Sequence, residues 1–194
     1  GPEVPTVLSM RQDYKHDGAR PWRGVKRDNW EGGHRVPFIA RWPGKIKPGT
    51  RSSQTLSLTD LMATFAAITN VELPRGAGED SVNMLPALIG SDKGKSIRKY
   101  TLHQTISLAL AIRRGPWKYL DHRGSGGNNY DRSGRWGMKK YIVPEKEPEA
   151  PGQLYNLDTD PGETNNLYFK RSEIVKELKN KLEEFKKSGR SAPL

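Results

Sequence analysis

The distribution of apolar residues predicts short strands and amphipathic helices joined by long polar loops. Residues 1–35 show no sustained period and are predicted to form an extended basic loop. From Val36 to Trp42 apolar residues alternate with others, which predicts a strand. Because proline lacks a backbone N–H, Pro37 must lie near the start of this strand, or the strand must lie at a sheet edge. A second short strand is predicted at Gln54–Leu58.

Helical spacing of apolar residues appears in two places. The first helix is predicted to begin at Thr59, whose hydroxyl can accept a free backbone N–H as an N-cap, and to reach Thr69. A short helical turn is expected at Met84–Ile89. The second helix is predicted from Ser172 to Lys187, with a buried stripe of Ile174, Leu178, Leu182 and Phe185.

The second half of the chain contains most of the predicted strands. Gly115 and Pro116 form the turn of a hairpin. The predicted strands are Ile97–His103, Leu108–Arg113, Trp117–Asp121 and Leu154–Leu157. Together with the helices, this pattern predicts an α+β fold, in which a small antiparallel sheet is packed by the C-terminal helix.

A long insert, Arg123–Pro151, separates the last two strands and is rich in Gly, Asn, Arg and aromatic residues. An irregular loop of this length is either functional or disordered. We predict that its part from Asp121 to Tyr141 forms the rim of a substrate pocket, because specificity usually resides in loops carried on a rigid scaffold.

Composition indicates a loop-rich piece of a larger structure. Hydrophobic residues make up 34% of the 194 residues, and there are 20 Gly and 14 Pro. The absence of cysteine excludes disulfides, thiolate metal sites and a cysteine nucleophile within this sequence. No run of 18 apolar residues occurs, so no membrane partner is expected.

The formal net charge of +11 favours anionic partners. In the C-terminal helix, these charges are interpreted as a solvated surface. In residues 11–35 the basic residues stand among aromatic ones, which favours a binding role. No nucleic-acid-binding motif is present, so nucleic acid is not an expected partner.

The segment from Arg23 to Ile46 carries the densest set of chemically active side chains. Lys26 provides a compact positive charge suited to an anionic oxygen. The Gly-Gly step after Glu31 lets the backbone turn sharply. We expect Glu31 to pair with Arg35 and His34 to brace the turn. The alternative is an ordinary surface loop with solvent-exposed ion pairs.

Four sequence blocks together resemble the formylglycine-dependent sulfatases. RGVKRDNWEGGHRVPFIARWPG, residues 23–44, is similar to the family pattern RG-x-K-x-x-x-x-EGG-x-R-x-P-x-x-x-x-WPG. It is followed by LSLTDLMATFAAITN (56–70), AIRRGPWKYL (111–120) and LYNLDTDPGETNNL (154–167). The blocks occur in the family's order, so the chain resembles the C-terminal portion of such an enzyme.

This resemblance implies an α/β alkaline-phosphatase-like fold for the whole enzyme and hydrolysis of a sulfate ester. Residues 1–95 would be the last part of the large domain and residues 96–194 a C-terminal subdomain. Lys26 corresponds to the family lysine that contacts the sulfate group. The formylglycine nucleophile, the acid–base histidines and the calcium ligands would lie upstream of Gly1. The chain alone is therefore expected to be inactive and to contain no metal ligand.

Further residues are predicted to contact the substrate, a sulfated carbohydrate. His103 and His122 each end a strand beside a long loop, and Arg123 follows directly. Trp22 and Trp136 stand in loops, where their rings could stack on sugar faces. The expected partners are the N-terminal part of the sulfatase and the anionic substrate. The resemblance also implies an exported protein.

Two alternatives remain open from the sequence. The first is a phosphodiesterase or phosphonate hydrolase of the same superfamily, which only the upstream nucleophile and metal ligands would distinguish. The second is a non-catalytic basic module that binds polyanions. It predicts no turnover and an affinity that falls steeply with salt.

Overall fold

The computed structural model describes residues 1–131 and 137–192. Contacts divide the chain into two compact units. Unit 1 comprises residues 1–36 and 102–180, and unit 2 comprises residues 37–101 and 181–194. The division into residues 1–95 and 96–194 stays a prediction about the domains of a longer protein, because these units describe contacts within this chain alone.

The central feature of unit 1 is an antiparallel sheet, as predicted. Its four strands follow in the order β1-β2-β3-β4. Arg114 pairs with Trp117 across the predicted Gly-Pro turn, so β2 and β3 form a hairpin, and β4 pairs antiparallel with β3. The strands are β1 (Thr101–Gln104), β2 (Leu110–Arg114), β3 (Trp117–Leu120) and β4 (Gln153–Asn156).

The strand register places two basic residues on an interior face of this sheet. Arg113 lies opposite Lys118, and Lys118 lies opposite Tyr155. Because side chains alternate between faces, these three share one face with Ala111 and Leu120. The other face carries Ile112, Tyr119 and Leu154, all buried. A fully buried lysine therefore stands among apolar neighbours, where it requires counter-charges.

The extended loop predicted for residues 1–35 is wrong over its first part, which forms helix α1 (Val4–Asp13). Glu3 caps its first amide, with 3.3 Å between Val4 N and the Glu3 carboxylate, and Pro5 occupies the first turn. The helix has almost no amphipathic pattern, which is why periodicity did not reveal it. It contributes Val4, Val7 and Leu8 to a cluster with Val25 and Met138.

The Glu-Gly-Gly sequence forms a single helical turn, α2 (Glu31–His34). A Cβ atom on Gly32 would collide with the carbonyls of Arg23 and Gly24, and one on Gly33 with the carbonyl of Asp28. The two glycines are therefore required here by the close approach of the preceding backbone.

Unit 2 contains α3 (Leu61–Thr69) and α4 (Leu85–Ile89). The predicted cap at Thr59 is wrong, because a 3-10 turn (Leu58–Asp60) precedes α3 and Ser57 caps it. Ser57 N donates to Asp60 Oδ2 at 2.8 Å, which completes a capping box.

The two strands predicted at Val36–Trp42 and Gln54–Leu58 are not formed. The structure assigns residues 35–42 and 51–57 neither helix nor strand. Residues 36–41 share no backbone hydrogen bond with any other residue of the described ranges. Alternating apolar residues favour a strand, but a strand also needs a partner, and the described part of the chain offers none.

The C-terminal helix α5 (Ser172–Ser188) agrees with its predicted extent. Leu178 and Leu182 of the predicted stripe are fully buried, and Val175 is also buried. Ile174 and Phe185 are partly buried. None of the described helices is both long and apolar enough to cross a membrane.

Candidate functional site

Residues 23–31, here called the lysine loop, form a closed turn around Lys26. Gly32 N donates to Arg23 O at 2.7 Å, which joins the two ends of the loop. The Arg23 guanidinium also lies 3.6 Å from the centre of the Trp30 ring, a cation–π contact. Positive φ angles at Gly24 and Arg27, 89° and 84°, produce the reversal of direction.

A buried carboxylate, Asp28, fixes the middle of the lysine loop. Asp28 Oδ2 accepts hydrogen bonds from Val25 N at 2.8 Å and from the Tyr130 hydroxyl at 2.5 Å. Asn128 Nδ2 donates to Asp28 Oδ1 and to Lys26 O, both at 2.8 Å. Burial and the Asp28 charge raise the pKa of Tyr130, so its hydroxyl remains a donor. The first part of the insert therefore braces the lysine loop.

The Lys26 ammonium stays at the surface although its backbone is fixed. Lys26 N donates to Pro2 O at 2.9 Å, and Nζ lies 2.9 Å from Glu3 Oε2. The side chain is 55% exposed. Hydrogen bonds from Lys26 and Arg27 hold the pKa of Glu3 at about 2. This arrangement presents an ammonium that can meet an anionic group.

Next to the lysine loop, seven charged or titratable side chains form what we call the ion cluster. Lys118 Nζ, fully buried, lies 3.0 Å from Glu31 Oε1, 3.1 Å from Glu163 Oε1 and 3.0 Å from His34 Nε2. Glu31 Oε2 accepts from Arg35 Nε at 2.6 Å and from Arg113 Nη1 at 3.3 Å. The members are Glu31, His34, Arg35, His103, Arg113, Lys118 and Glu163.

The two glutamates of the ion cluster differ in acidity. Burial raises the pKa of Glu31, but the cations of Lys118, Arg35 and Arg113 outweigh it and hold that pKa at about 2. Burial raises the pKa of Glu163 to about 7 despite the nearby Lys118 ammonium. Glu31 is therefore ionised at neutral pH, whereas Glu163 can gain a proton there.

The two histidines of the ion cluster are neutral. The rings of His34 and His103 stack with centroids 3.7 Å apart. Burial lowers the pKa of His34 well below its usual value, and positive charge on His34 would also be repelled by a protonated His103 and by the Lys118 ammonium. Burial and then Lys118 lower the pKa of His103 to about 3. His103 Nδ1 is buried without a hydrogen-bond partner among the described residues.

His122 and Arg123 stand apart from the ion cluster, on the wall of a cavity of about 750 Å³. Asn29 Nδ2 lies 2.9 Å from His122 Nε2, and His122 Nδ1 lies 3.0 Å from Arg123 O. Arg123 donates to Ala150 O and Glu149 O, both at 2.9 Å. Other residues that line the cavity include Arg23, Trp30, Tyr130 and Gln153.

The structure thus brings together some of the predicted site residues. Glu31, His34, Arg35 and His103 meet in the ion cluster, directly after the lysine loop. Trp22 lies under the Arg35 guanidinium, 4.6 Å from it. The predicted stacking residue Trp136 lies outside the described residues.

Sequence reasoning missed several residues on which this site depends. Lys118, Arg113 and Glu163 each belong to a sequence block that was recognised, but no role followed from the block alone. The available signal was a lysine within an apolar strand, which needs a buried counter-charge. The structure shows that three separate blocks converge on one charged centre.

No metal centre is formed by the residues of ranges 1–131 and 137–192. Within them, no group of three or more His, Asp or Glu side chains could hold a metal ion.

Known proteins resemble the chain in sequence. The sulfatase family model matches residues 9–71. An N-acetylgalactosamine-6-O-sulfatase from Bacteroides thetaiotaomicron is 36% identical over 165 residues, covering 85% of this chain and 30% of the relative. A steryl-sulfatase from Mus musculus is 36% identical over 156 residues, covering 75% of this chain and 24% of the relative.

Solved structures show the same relationship. One, from work on the metabolism of multiple glycosaminoglycans by Bacteroides thetaiotaomicron, superimposes with a TM-score of 0.66 and 32% identity, over 86% of this chain and 32% of that one. A sulfatase from Pseudoalteromonas gives a TM-score of 0.62 and 27% identity, over 89% of this chain and 34% of that one.

The chain therefore spans about a quarter to a third of the length of these proteins. The α+β arrangement of short antiparallel sheet and helices agrees with the structures of sulfatases of the alkaline-phosphatase-like fold. On the joint basis of the family model, the curated relatives and the solved structures, this chain belongs to the sulfatase family.

Proposed function

We propose that this chain is the C-terminal part of a longer sulfatase that hydrolyses sulfate esters of a sulfated carbohydrate. The observation that carries the proposal is that Lys26 has a fixed backbone and an exposed ammonium group. Its loop is fixed by Asp28 and by the contacts of Asn128, yet its side chain remains 55% exposed. A cation held in this way on a rigid loop is suited to an anionic ligand.

Lys26 has a defined task in this reaction. A sulfate ester carries one negative charge, and negative charge increases on the sulfate and the leaving oxygen as the S–O bond breaks. A preorganised ammonium stabilises that charge without reorganisation during the reaction. The name of the bacterial relative, an N-acetylgalactosamine-6-O-sulfatase, supports a sugar sulfate as the substrate class.

The formylglycine nucleophile and the calcium ligands of the complete enzyme are proposed to lie outside this chain. The family pattern has an Asp-Asn metal pair just before the position of Gly1. In the structure the segment that follows, Gly1 to Glu3, reaches the lysine loop through Pro2 O and the Glu3 carboxylate. Residues before Gly1 would then be close to Lys26, which fits the proposed site.

For substrate contacts, we propose that His122 and Arg123 form the wall against which the sugar lies, since both line the cavity. Trp22, Trp136 and His103 remain proposed substrate contacts on the basis of sequence position. We also propose an exported enzyme, as the resemblance implies.

The proposed partner of unit 2 is the remaining part of the sulfatase polypeptide. Residues 36–41 lack backbone hydrogen bonds to the other described residues, and Phe38 and Ile39 are exposed. Such a segment pairs readily with a neighbouring strand, which would supply both hydrogen bonds and apolar cover. The greater length of the relatives provides a source for that strand.

The test uses the complete protein with an aryl sulfate as substrate. Lys26→Ala is expected to lower kcat/KM by about two to three orders of magnitude, the effect of one lost transition-state donor. Lys26→Arg is expected to rescue only in part, because guanidinium is planar and bulkier. Near-normal activity of the alanine variant would show that Lys26 is only a surface charge.

A substrate panel separates the alternatives. Preference for a phosphodiester or phosphonate over the sulfate ester would favour a related hydrolase. Binding of sulfated glycan without turnover by the complete protein would favour the polyanion-binding module. The chain alone is expected to show no turnover.

A further inference from the structure

Glu163 contacts both ends of the lysine loop. At the first end, Arg23 Nη1 donates to the Glu163 carbonyl at 2.8 Å. At the other end, Glu31 N donates to Glu163 Oε2 at 2.6 Å. The second carboxylate oxygen, Oε1, lies 3.1 Å from Lys118 Nζ. Glu163 is thus the one described residue whose backbone and side chain each bind an opposite end of the loop.

The backbone at Glu163 is itself unusual. Asp160, Pro161 and Gly162 form a turn, which is closed by a hydrogen bond from Glu163 N to Asp160 O at 3.1 Å. The left-handed conformation, however, falls on Glu163, with φ of 50°. A fully buried glutamate in this region of φ is strained. Such a conformation persists only where the surroundings over-determine it, and such positions cluster at functional sites.

We propose that Glu163 is a positioning residue that sets the lysine loop, and through it the Lys26 ammonium, in its active geometry. The catalytic consequence of this role rests on the proposed function, whereas the structural consequence does not. The carboxylate form is the one that positions the loop, because a carboxylate accepts the Glu31 amide hydrogen bond more strongly and pairs with Lys118.

The proposal makes the loop sensitive to pH. Burial raises the pKa of Glu163 to about 7, so protonation occurs close to neutrality. Protonation weakens both carboxylate contacts and loosens the loop as the pH falls through that value. The charged and titratable groups around Glu163 are Lys118 on β3, Glu31 on α2, Arg23 in the loop and Tyr155 on β4, with Arg35, Arg113, His34 and His103 behind them.

Nuclear magnetic resonance of this chain tests the structural part. In the wild type, the amide signals of Lys26 and Glu31 are expected to titrate with a midpoint near 7, the value to which burial raises the pKa of Glu163. The Glu31 amide is expected furthest downfield above that pH, where it donates to an ionised carboxylate. Absence of this titration would overturn the proposal without the need for any variant.

Glu163→Gln keeps the size and an acceptor for the Glu31 amide but removes the charge. We expect its loop signals to resemble the low-pH wild type at every pH and to show no midpoint near 7. The matched control is Glu177→Gln, a partly exposed glutamate of the same unit that pairs with Arg114. Its loop signals are expected to titrate as in the wild type, and equal effects of the two variants would contradict a specific role for Glu163.

Kinetics of the complete protein test the catalytic part. Because a displacement of about 1 Å can cost about 100-fold in rate, Glu163→Gln is expected to lower kcat by about 10- to 100-fold. KM is expected to change by less than about twofold, since the lost interaction acts in the transition state. An unchanged kcat alongside altered loop signals would overturn the catalytic role. If the wild-type protein hydrolyses no sulfate ester, the proposed function is wrong. The titration of the Lys26 and Glu31 amide signals then still tests whether Glu163 positions the lysine loop.

Discussion

Unit 1 buries Lys118 between Glu31 and Glu163, and unit 2 buries Arg98 against Asp60. Unit 1 also contains a hydrogen-bonded antiparallel sheet with buried residues on both faces. In unit 2, by contrast, residues 37–41 have no backbone hydrogen-bond partners within the described ranges, and Thr64 is the only buried residue of α3.

The two units show that a buried ion pair and a covered apolar surface are separate contributions to a fold. A buried ion pair fixes local backbone geometry, and both units achieve this. Closure of an apolar surface needs residues that pack against it, and in unit 1 Trp30 packs with Ala111, Leu120 and Tyr155 of the sheet in one buried cluster. In unit 2, Phe38, Leu58, Phe65 and Val71 remain exposed. A largely apolar helix normally lies inside a larger protein, and this supports the cover proposed above for unit 2.

The largest effect is expected from Lys118→Ala in this chain. It leaves two buried glutamates without their ammonium, and breaking a buried pair in this way costs about 3–5 kcal/mol of unfolding free energy. Chemical denaturation followed by tryptophan fluorescence measures this, because Trp22, Trp30 and Trp117 all lie in unit 1. The control is Lys26→Ala, which removes an exposed lysine and is expected to change stability by about 0.5 kcal/mol or less. Similar stabilities of the two variants would contradict the importance of the ion cluster.

A smaller loss is expected from Arg98→Ala in unit 2. Asp60 would keep its hydrogen bonds from Ser57 N at 2.8 Å and Val82 N at 3.0 Å, so its carboxylate would not be left without partners. We expect a loss of about 1.5–3 kcal/mol of unfolding free energy, the range for hydrogen bonds to charged groups. Hydrogen exchange at the Val82 and Met84 amides reports on unit 2. If hydrogen exchange in this variant became faster at the Glu31 amide of unit 1 instead, the two units would not respond separately to the substitution.

Tyr130→Phe tests the support that the insert gives to the lysine loop. It removes the 2.5 Å hydrogen bond to the buried Asp28 carboxylate, and we expect a loss of about 1–2 kcal/mol. The Val25 amide, which shares that carboxylate oxygen, is expected to exchange faster. Tyr141→Phe, on a partly exposed tyrosine, is the control. No change at Val25 would contradict the bracing role.

This bracing also changes the expectation for the insert as a pocket rim. Replacement of residues 124–136 by a flexible linker would remove Ser125, Asn128 and Tyr130, all of which contact the lysine loop. Activity of the complete protein is therefore expected to fall on a small aryl sulfate as well as on an extended glycan. A loss of activity on the extended glycan alone would indicate that the insert acts only as the rim of the substrate pocket.

The smallest effect in this chain is expected from Phe65→Ser on α3. The side chain is exposed, so the change is expected to alter stability by about 0.5 kcal/mol or less. In the complete protein, the same change is expected to cost about 1.5–3 kcal/mol, the value of a buried phenylalanine side chain. Equal small losses in both proteins would show that α3 is not covered by a further layer.

The strands of unit 1 were accessible from sequence because each signal there is local. Alternation and the Gly-Pro turn predict the β2–β3 hairpin, and helical spacing predicts α5 with Leu178 and Leu182 inside. Helix α1 was missed because its apolar residues follow no clear period. The strand predicted at Val36–Trp42 failed because local alternation does not supply a pairing partner.

The sequence by itself determined the sulfatase blocks, the antiparallel sheet and the identity of Lys26 as the charged residue of interest. Only the tertiary structure decided that Glu31, Lys118 and Glu163 form one charged centre. Along the chain, Lys118 lies 87 residues after Glu31 and 45 residues before Glu163. A charge in a sequence carries no record of its counter-charge. The partner of a buried ion is chosen by packing, which brings distant segments together and removes the water that would otherwise solvate each group.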